Sequence, residues 1–177
     1  MSAKLSIAAD AHAHQDDWQW QIRHAVTTVD ALEKLLSLTS RELDGARRAE
    51  QQGMPIGITP YYLSLCNPHD EHCPIRVQCV PDAREGETVH GDLSDPLGEV
   101  AHETAPHLVQ RYPDRVLLLA TDRCAVYCRF CTRSRMVGAG GGAASLEELA
   151  PALAYIKAHP EIRDVILSGG DPLAMAT

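Results

Sequence analysis

The sequence predicts an α/β fold: a helical N-terminal region followed by the first βαβ unit of a (β/α) barrel, truncated before it can close. Three observations point there. Apolar residues recur at helical spacing over 16–53. Two short continuous apolar runs, 115–121 and 164–167, read as strands buried on both faces. One helix-period segment lies between them, giving the order of a parallel βαβ unit. That unit takes about sixty residues, and a complete barrel takes roughly 200 or more. A chain of 177 residues with this layout therefore reads as a partial barrel.

Each element has a local reason. Residues 1–15 are small and polar and are expected to be a disordered terminus. His12 and His14 invite a metal reading there, although two spaced histidines on a loose end usually carry no function. Trp18, Ile22, Ala25 and Val26 share one helical face, and Leu32, Leu35 and Leu36 follow after Asp30, read as a cap. Thr39 and Glu42 have capping-box spacing, and Gly53 is placed to stop that helix. Thr59 before Pro60 reads as an N-cap followed by proline at the first helical position. Residues 67–100, rich in Pro, Asp, Gly and Glu, read as an irregular wrapping connection. The helical region is accordingly taken over 16–110 and the start of the barrel over 111–177. The glycine tract 138–142 is a loop. Ser145 and Glu148 form a second capping box, opening a helix through Ala150, Leu153, Ala154 and Ile156 that Pro160 ends.

Composition excludes several functions. The net charge of −8, from 24 acids against 16 bases, argues against a nucleic-acid or acidic-membrane partner. No run approaches the roughly 20 apolar residues that span a bilayer. The start lacks a basic-then-apolar signal layout, so a cytoplasmic protein is expected. Six cysteines in such a chain read as ligands or plain thiols before disulfides.

Cys124, Cys128 and Cys131 stand at C-x3-C-x2-C directly after the first strand. Ligands in parallel α/β architectures sit at the carboxyl ends of strands. Three thiolates hold three irons of a 4Fe–4S cubane and leave the fourth open to chelate a small molecule, whereas an electron carrier usually has four cysteines. Zinc is the rival, with a fourth ligand from Cys66, Cys73, Cys79 or a histidine. Structural zinc sites favour two short ligand pairs separated in sequence, which this triplet is not.

With an aromatic residue, Phe130, before the third cysteine, the motif resembles the radical S-adenosylmethionine (SAM) signature. More narrowly, the chain resembles the lysine 2,3-aminomutase family. The resemblance is carried by stretches 17–22, 58–65, 111–116, 124–135 and 162–173, and runs from Trp18 to the end. It implies a radical SAM barrel, a 4Fe–4S cluster on the three cysteines, and SAM contacts from Phe130, Ser168, Gly169, Gly170 and Asp171. Glycines there would let backbone approach the ligand, and Asp171 could accept from the SAM ammonium; a tight turn after the strand is the alternative. The resemblance assigns Arg133 to the carboxylate of an amino-acid substrate, with Arg129, Arg133 and Arg135 balancing the charge of the ligated cluster as the other reading. It places Arg111, Tyr112 and Arg115 near pyridoxal phosphate (PLP), against an ordinary helix-to-strand corner with solvated arginines. Two positions depart from the pattern: Phe130 stands where the best-known members carry histidine, and Ser134 replaces an arginine. The lysine that bears PLP in the family lies beyond Thr177, and neither Lys34 nor Lys157 sits in a matching motif.

The activity implied is migration of an amino group from the α to the β carbon of an amino acid. Cleavage of SAM would give a 5′-deoxyadenosyl radical, and PLP would carry the nitrogen. Lysine is the default substrate, with glutamate or arginine open. The fragment, lacking the PLP lysine, is not expected to be active alone. A reductase, flavodoxin or ferredoxin would donate the electron, and a homo-oligomer is expected. The alternatives are a radical SAM mutase acting on a lysine of a partner protein, and a non-catalytic iron–sulfur binding or interaction module. Cys66, Cys73 and Cys79 match no ligand position and read as plain thiols.

Overall fold

The computed structural model describes residues 10–52, 56–87, 89–138, 140 and 142–175. The proposed helix stop at Gly53 and residues 1–9 of the expected loose terminus lie outside them. The chain divides into two units, residues 1–91 with 125–131 and residues 92–124 with 132–177.

The first unit is helical. Residues 10–13, expected as part of a disordered end, form a helical turn whose Ala11 carbonyl accepts from Gln21 Nε2 at 3.2 Å. Helix α1, Trp18–Arg23, is capped by the Asp17 side chain and ends before Val26. Val26 is therefore not on that helical face; its backbone bridges Ile58 instead. Helix α2, Val29–Leu35, is capped by Thr28, with Asp30 inside the first turn and not at the cap. Helix α3, Ser40–Gln51, has the full Thr39–Glu42 capping box. Short helices α4, Pro60–Ser64, and α5, Arg76–Cys79, flank a turn-rich stretch. Leu32, Leu36, Ile58, Leu63, Cys66 and Cys79 form the main core, with Val126 packed against it. Arg76 is the largest fully buried side chain. It survives there because Nε and Nη2 both bond Glu42 at 2.7 Å, while Nη1 and Nη2 donate to the Asn67 and Ser37 carbonyls.

The second unit is a four-stranded mixed sheet with one helix. Strands β1, Glu103–Ala105, and β2, Leu108–Tyr112, pair antiparallel, and β2 pairs antiparallel with β3, Arg115–Thr121. This hairpin was not foreseen; the sequence reading kept 67–100 as a connection and began the barrel at Arg111. Helix α6, Leu146–Ala158, has the Ser145–Glu148 capping box and stops at His159, before Pro160. Strand β4, Asp164–Gly169, pairs parallel with β3 from Arg115↔Asp164 to Thr121↔Gly169. The βαβ order is thus observed, within an open mixed sheet. Leu108, Val116, Leu118, Leu149 and Ala152 make the core, joined by Tyr155 and Ile156, so α6 faces the sheet through Leu149 and Ala152 while Leu153 is exposed. The expectation of burial on both faces fails for β4, where Val165, Ile166 and Leu167 are all exposed. No described helix is long and apolar enough to cross a membrane.

Candidate functional site

The loop after β3 carries the thiol triplet, and the division into units falls within it. Cys124 belongs to the sheet unit, Cys128 and Cys131 to the helical unit. The 125–131 segment is tied to its own unit at several points. Val126 bridges Ile58, and the Tyr127 N–H donates to the Gly57 carbonyl at 2.8 Å. A Cβ on Gly57 would stand 2.6 Å from the Tyr127 ring, so only glycine admits that contact. The Arg129 N–H donates to the Gln78 carbonyl at 2.8 Å, and its guanidinium grips Glu85 through Nε and Nη2 at 2.9 and 2.5 Å. The Cys131 N–H donates to the Cys128 carbonyl at 3.2 Å, making a tight turn between the two thiols. Burial, and then the neighbouring Cys131, push the Cys128 thiol up. All three cysteines are half-buried, and none is in a disulfide. Among the described residues, no three His, Cys, Asp or Glu side chains are gathered to hold a metal ion. The fit to a cluster lies in the donor set: three soft thiols within 124–131, with no carboxylate or imidazole among them. Phe130 is 67% exposed.

In the sheet unit, the stretch after β4 lies beside the stretch after β3. The Gly170 N–H donates to the Thr121 carbonyl and the Asp171 N–H to the Arg123 carbonyl, both at 2.7 Å. Gly169 has φ +112, and a Cβ on it would stand 2.2 Å from the Thr121 carbonyl oxygen; one on Gly170 would meet the Arg123 carbonyl oxygen as closely. These glycines are thus demanded by the close pass of the backbone at, and just after, the end of β3. Asp171 caps the following 3₁₀ turn, Pro172–Ala174, by accepting from the Leu173 N–H at 3.0 Å.

Arg133 joins this group through Ser168, whose Oγ lies 3.1 Å from Nη1. Its Nε and Nη2 grip Glu99 at 2.9 and 2.6 Å. Arg135 Nη2 reaches the other Glu99 oxygen at 3.2 Å. Burial would raise the Glu99 carboxyl, but hydrogen bonds and charge from Arg133 and Arg135 hold it below its usual range. Each of Arg129, Arg133 and Arg135 therefore already has a carboxylate partner. Glu99 was not foreseen: it is one acid in a polar connection, and a single sequence carries no sign of which arginine it meets.

Arg111, Tyr112 and Arg115 line one open cleft of about 210 Å³ with Leu97, Glu99 and Ile166. Arg115 sits over the Tyr112 ring at 5.6 Å and pairs with Asp114 at 3.0 Å. Arg111 donates to the Leu97 carbonyl, and no described carboxylate pairs with it. Neither Lys34, in α2, nor Lys157, in α6, lines the cleft.

No family model matches the chain. Whole-sequence comparison finds close relatives. An L-lysine 2,3-aminomutase of Bacillus subtilis is 46% identical over 158 residues, covering 89% of this chain and 33% of the relative. One from Clostridium subterminale is 44% identical over 164 residues, covering 93% and 39%. Over about nine tenths of its length the chain is similar to these lysine 2,3-aminomutases. A glutamate 2,3-aminomutase of Clostridioides difficile is also similar, 36% identical over 175 residues, or 97% of this chain and 41% of that one. The chain spans about a third to two fifths of the length of these relatives.

Proposed function

We propose that this chain carries the cluster- and SAM-binding part of an amino-acid 2,3-aminomutase. The observation that carries the reading is the thiol triplet beginning at the carboxyl end of β3, in a chain nearly half identical to lysine 2,3-aminomutases. Cys124, Cys128 and Cys131 would hold a 4Fe–4S cluster with one iron free of protein ligands. When bound, the cluster supplies the electron that cleaves SAM to methionine and a 5′-deoxyadenosyl radical, and PLP carries the migrating nitrogen. Residues 168–171 would line the SAM site from the end of β4, with Phe130 against its adenine.

Arg133 would take the carboxylate of the amino-acid substrate. Glu99 and Ser168 use one N–H on each of Nε, Nη2 and Nη1, leaving one on each Nη for a carboxylate approaching the end of the fork. Glu99 then acts as a positioning residue that fixes the guanidinium plane. Arg111, Tyr112 and Arg115 offer an anion site suited to the PLP phosphate. No described lysine is placed there to carry the cofactor covalently. Lysine is the first substrate to try, and glutamate the second, given the relatives' names.

The test is anaerobic reconstitution with iron and sulfide, followed by dithionite and SAM. Formation of 5′-deoxyadenosine is expected. An intact cluster that leaves SAM uncleaved would overturn the enzyme reading in favour of a bare binding module.

A further inference from the structure

Cys66 and Cys79 belong to none of the groups above. Their sulfurs lie 4.0 Å apart inside the helical core, thirteen residues apart in sequence. Both side chains are buried, at 5% and 1% exposure, among Leu32, Ile58, Leu63 and Val80. Among the described residues, the other hydrogen-bond partners of each thiol are backbone carbonyls of its own preceding turn. Cys66 Sγ is 3.9 Å from the Tyr62 oxygen, and Cys79 Sγ is 3.5 and 3.6 Å from those of Ile75 and Arg76. A thiol is a weak donor, so these contacts do not hold the sulfurs apart. The third thiol of the region is engaged elsewhere: Cys73 Sγ accepts the Asn67 N–H at 3.3 Å.

We propose that Cys66 and Cys79 form an intramolecular disulfide when the folded chain meets a two-electron thiol oxidant such as hydrogen peroxide. A disulfide has an S–S length of about 2.05 Å, so sulfurs already in contact need to close by about 2 Å. Holding them together in the core makes the bond-forming step effectively unimolecular. The hydrogen bond shared with Cys79 and the charge of Arg76 hold the Cys66 thiol below its usual range, while that bond and burial push Cys79 up. Either sulfur can lead; when Cys66 attacks, Cys79 resolves. The Cys66 thiolate attacks one peroxide oxygen, the O–O bond breaks, and the leaving hydroxide takes up a proton as water. The Cys79 sulfur then attacks the Cys66 sulfenic acid, whose hydroxyl leaves with the Cys79 proton as a second water. In sum, two thiols and one peroxide give one disulfide and two waters.

The bond would cross-link α5 to the second residue past α4. Gln78, beside Cys79, supplies the carbonyl that receives the Arg129 N–H, and Val126 packs on the same core. Oxidation therefore stiffens the wall to which 125–131 is tied. The bond uses neither Cys128 nor Cys131.

Peptide mapping tests it on the folded full chain. Protein treated with a slight excess of hydrogen peroxide is alkylated in denaturant and digested with trypsin. Cleavage at Arg48, Arg76 and Arg84 puts Cys66 and Cys79 on separate peptides, 49–76 and 77–84. The expected product is these two joined, about 2 Da below the sum of the reduced peptides and separated by dithiothreitol. Cys73 shares the first peptide, so the product must persist in a Cys73→Ala chain and vanish in Cys66→Ala. Full alkylation of both Cys66 and Cys79 after oxidation would overturn the proposal. So would a bond from Cys79 to any other cysteine. If Cys66→Ala fails to fold, fragmentation of the joined peptide from Cys73→Ala decides alone.

Discussion

In the helical unit a guanidinium is the largest fully buried side chain, whereas in the sheet unit three consecutive apolar side chains of β4 stand exposed. Both invert what the residue types suggest. Arg76 is buried because Glu42 and two carbonyls satisfy its donors, so the desolvation cost is met by fixed partners. Val165, Ile166 and Leu167 are exposed because β4 is the edge strand of the sheet and α6 packs over β2 and β3 instead. The comparison teaches that burial follows what packs against a segment, and that residue type only sets the cost of each outcome.

The largest effect is expected from Arg76→Met, which keeps the volume but leaves Glu42 buried and unpaired. It should cost about 3–5 kcal/mol. Both tryptophans lie in α1, so urea unfolding followed by their fluorescence reads this unit alone. Next comes Leu118→Ala in β3, which removes core volume and should cost roughly 2–5 kcal/mol by far-UV circular dichroism, with little change in the tryptophan transition.

A smaller change is expected from acid. Burial alone would raise the Glu42 carboxyl, but Arg76 and Thr39 hold it below the usual carboxylate range. A carboxyl depressed in the folded state contributes stability that is fully present above its unfolded value. That contribution is lost as pH falls below about 4.5 and through the folded value. Tryptophan-monitored urea midpoints should fall over that window, and the Arg76→Met chain should show less of the fall. The smallest effect belongs to Ile166→Ser in β4, which should stay within about 0.5 kcal/mol of the parent where Leu118→Ala does not. Equal losses at the two positions would erase the contrast between the strands.

Much of the frame was legible in the residues. Both capping boxes, proline opening α4, and the strands β3 and β4 follow from local chemistry that needs no tertiary partner. The hairpin of β1 and β2 escaped because its strands are short, Pro106 interrupts them, and the turn uses His107 at φ +66 in place of a glycine. The single helical stretch read over 16–53 is three helices, since Val26 leaves the helical face to bridge a backbone distant in sequence. At the site, the thiol spacing was plain, as was the glycine turn at the end of the second strand. Glu99, Glu85 and Arg76 were not, because the partner of a charged side chain is set by folding over long sequence separations. The exposure of β4 was also hidden, since an apolar run does not reveal whether anything covers it.

The account stands or falls on what the 124–131 loop binds. Iron, acid-labile sulfide and zinc should be measured per chain after anaerobic reconstitution, on the parent and on Cys128→Ser. About four iron and four sulfide in the parent, with most of both lost in the variant, is the result expected. One tightly held zinc with no sulfide, or full iron retention in Cys128→Ser, would contradict it.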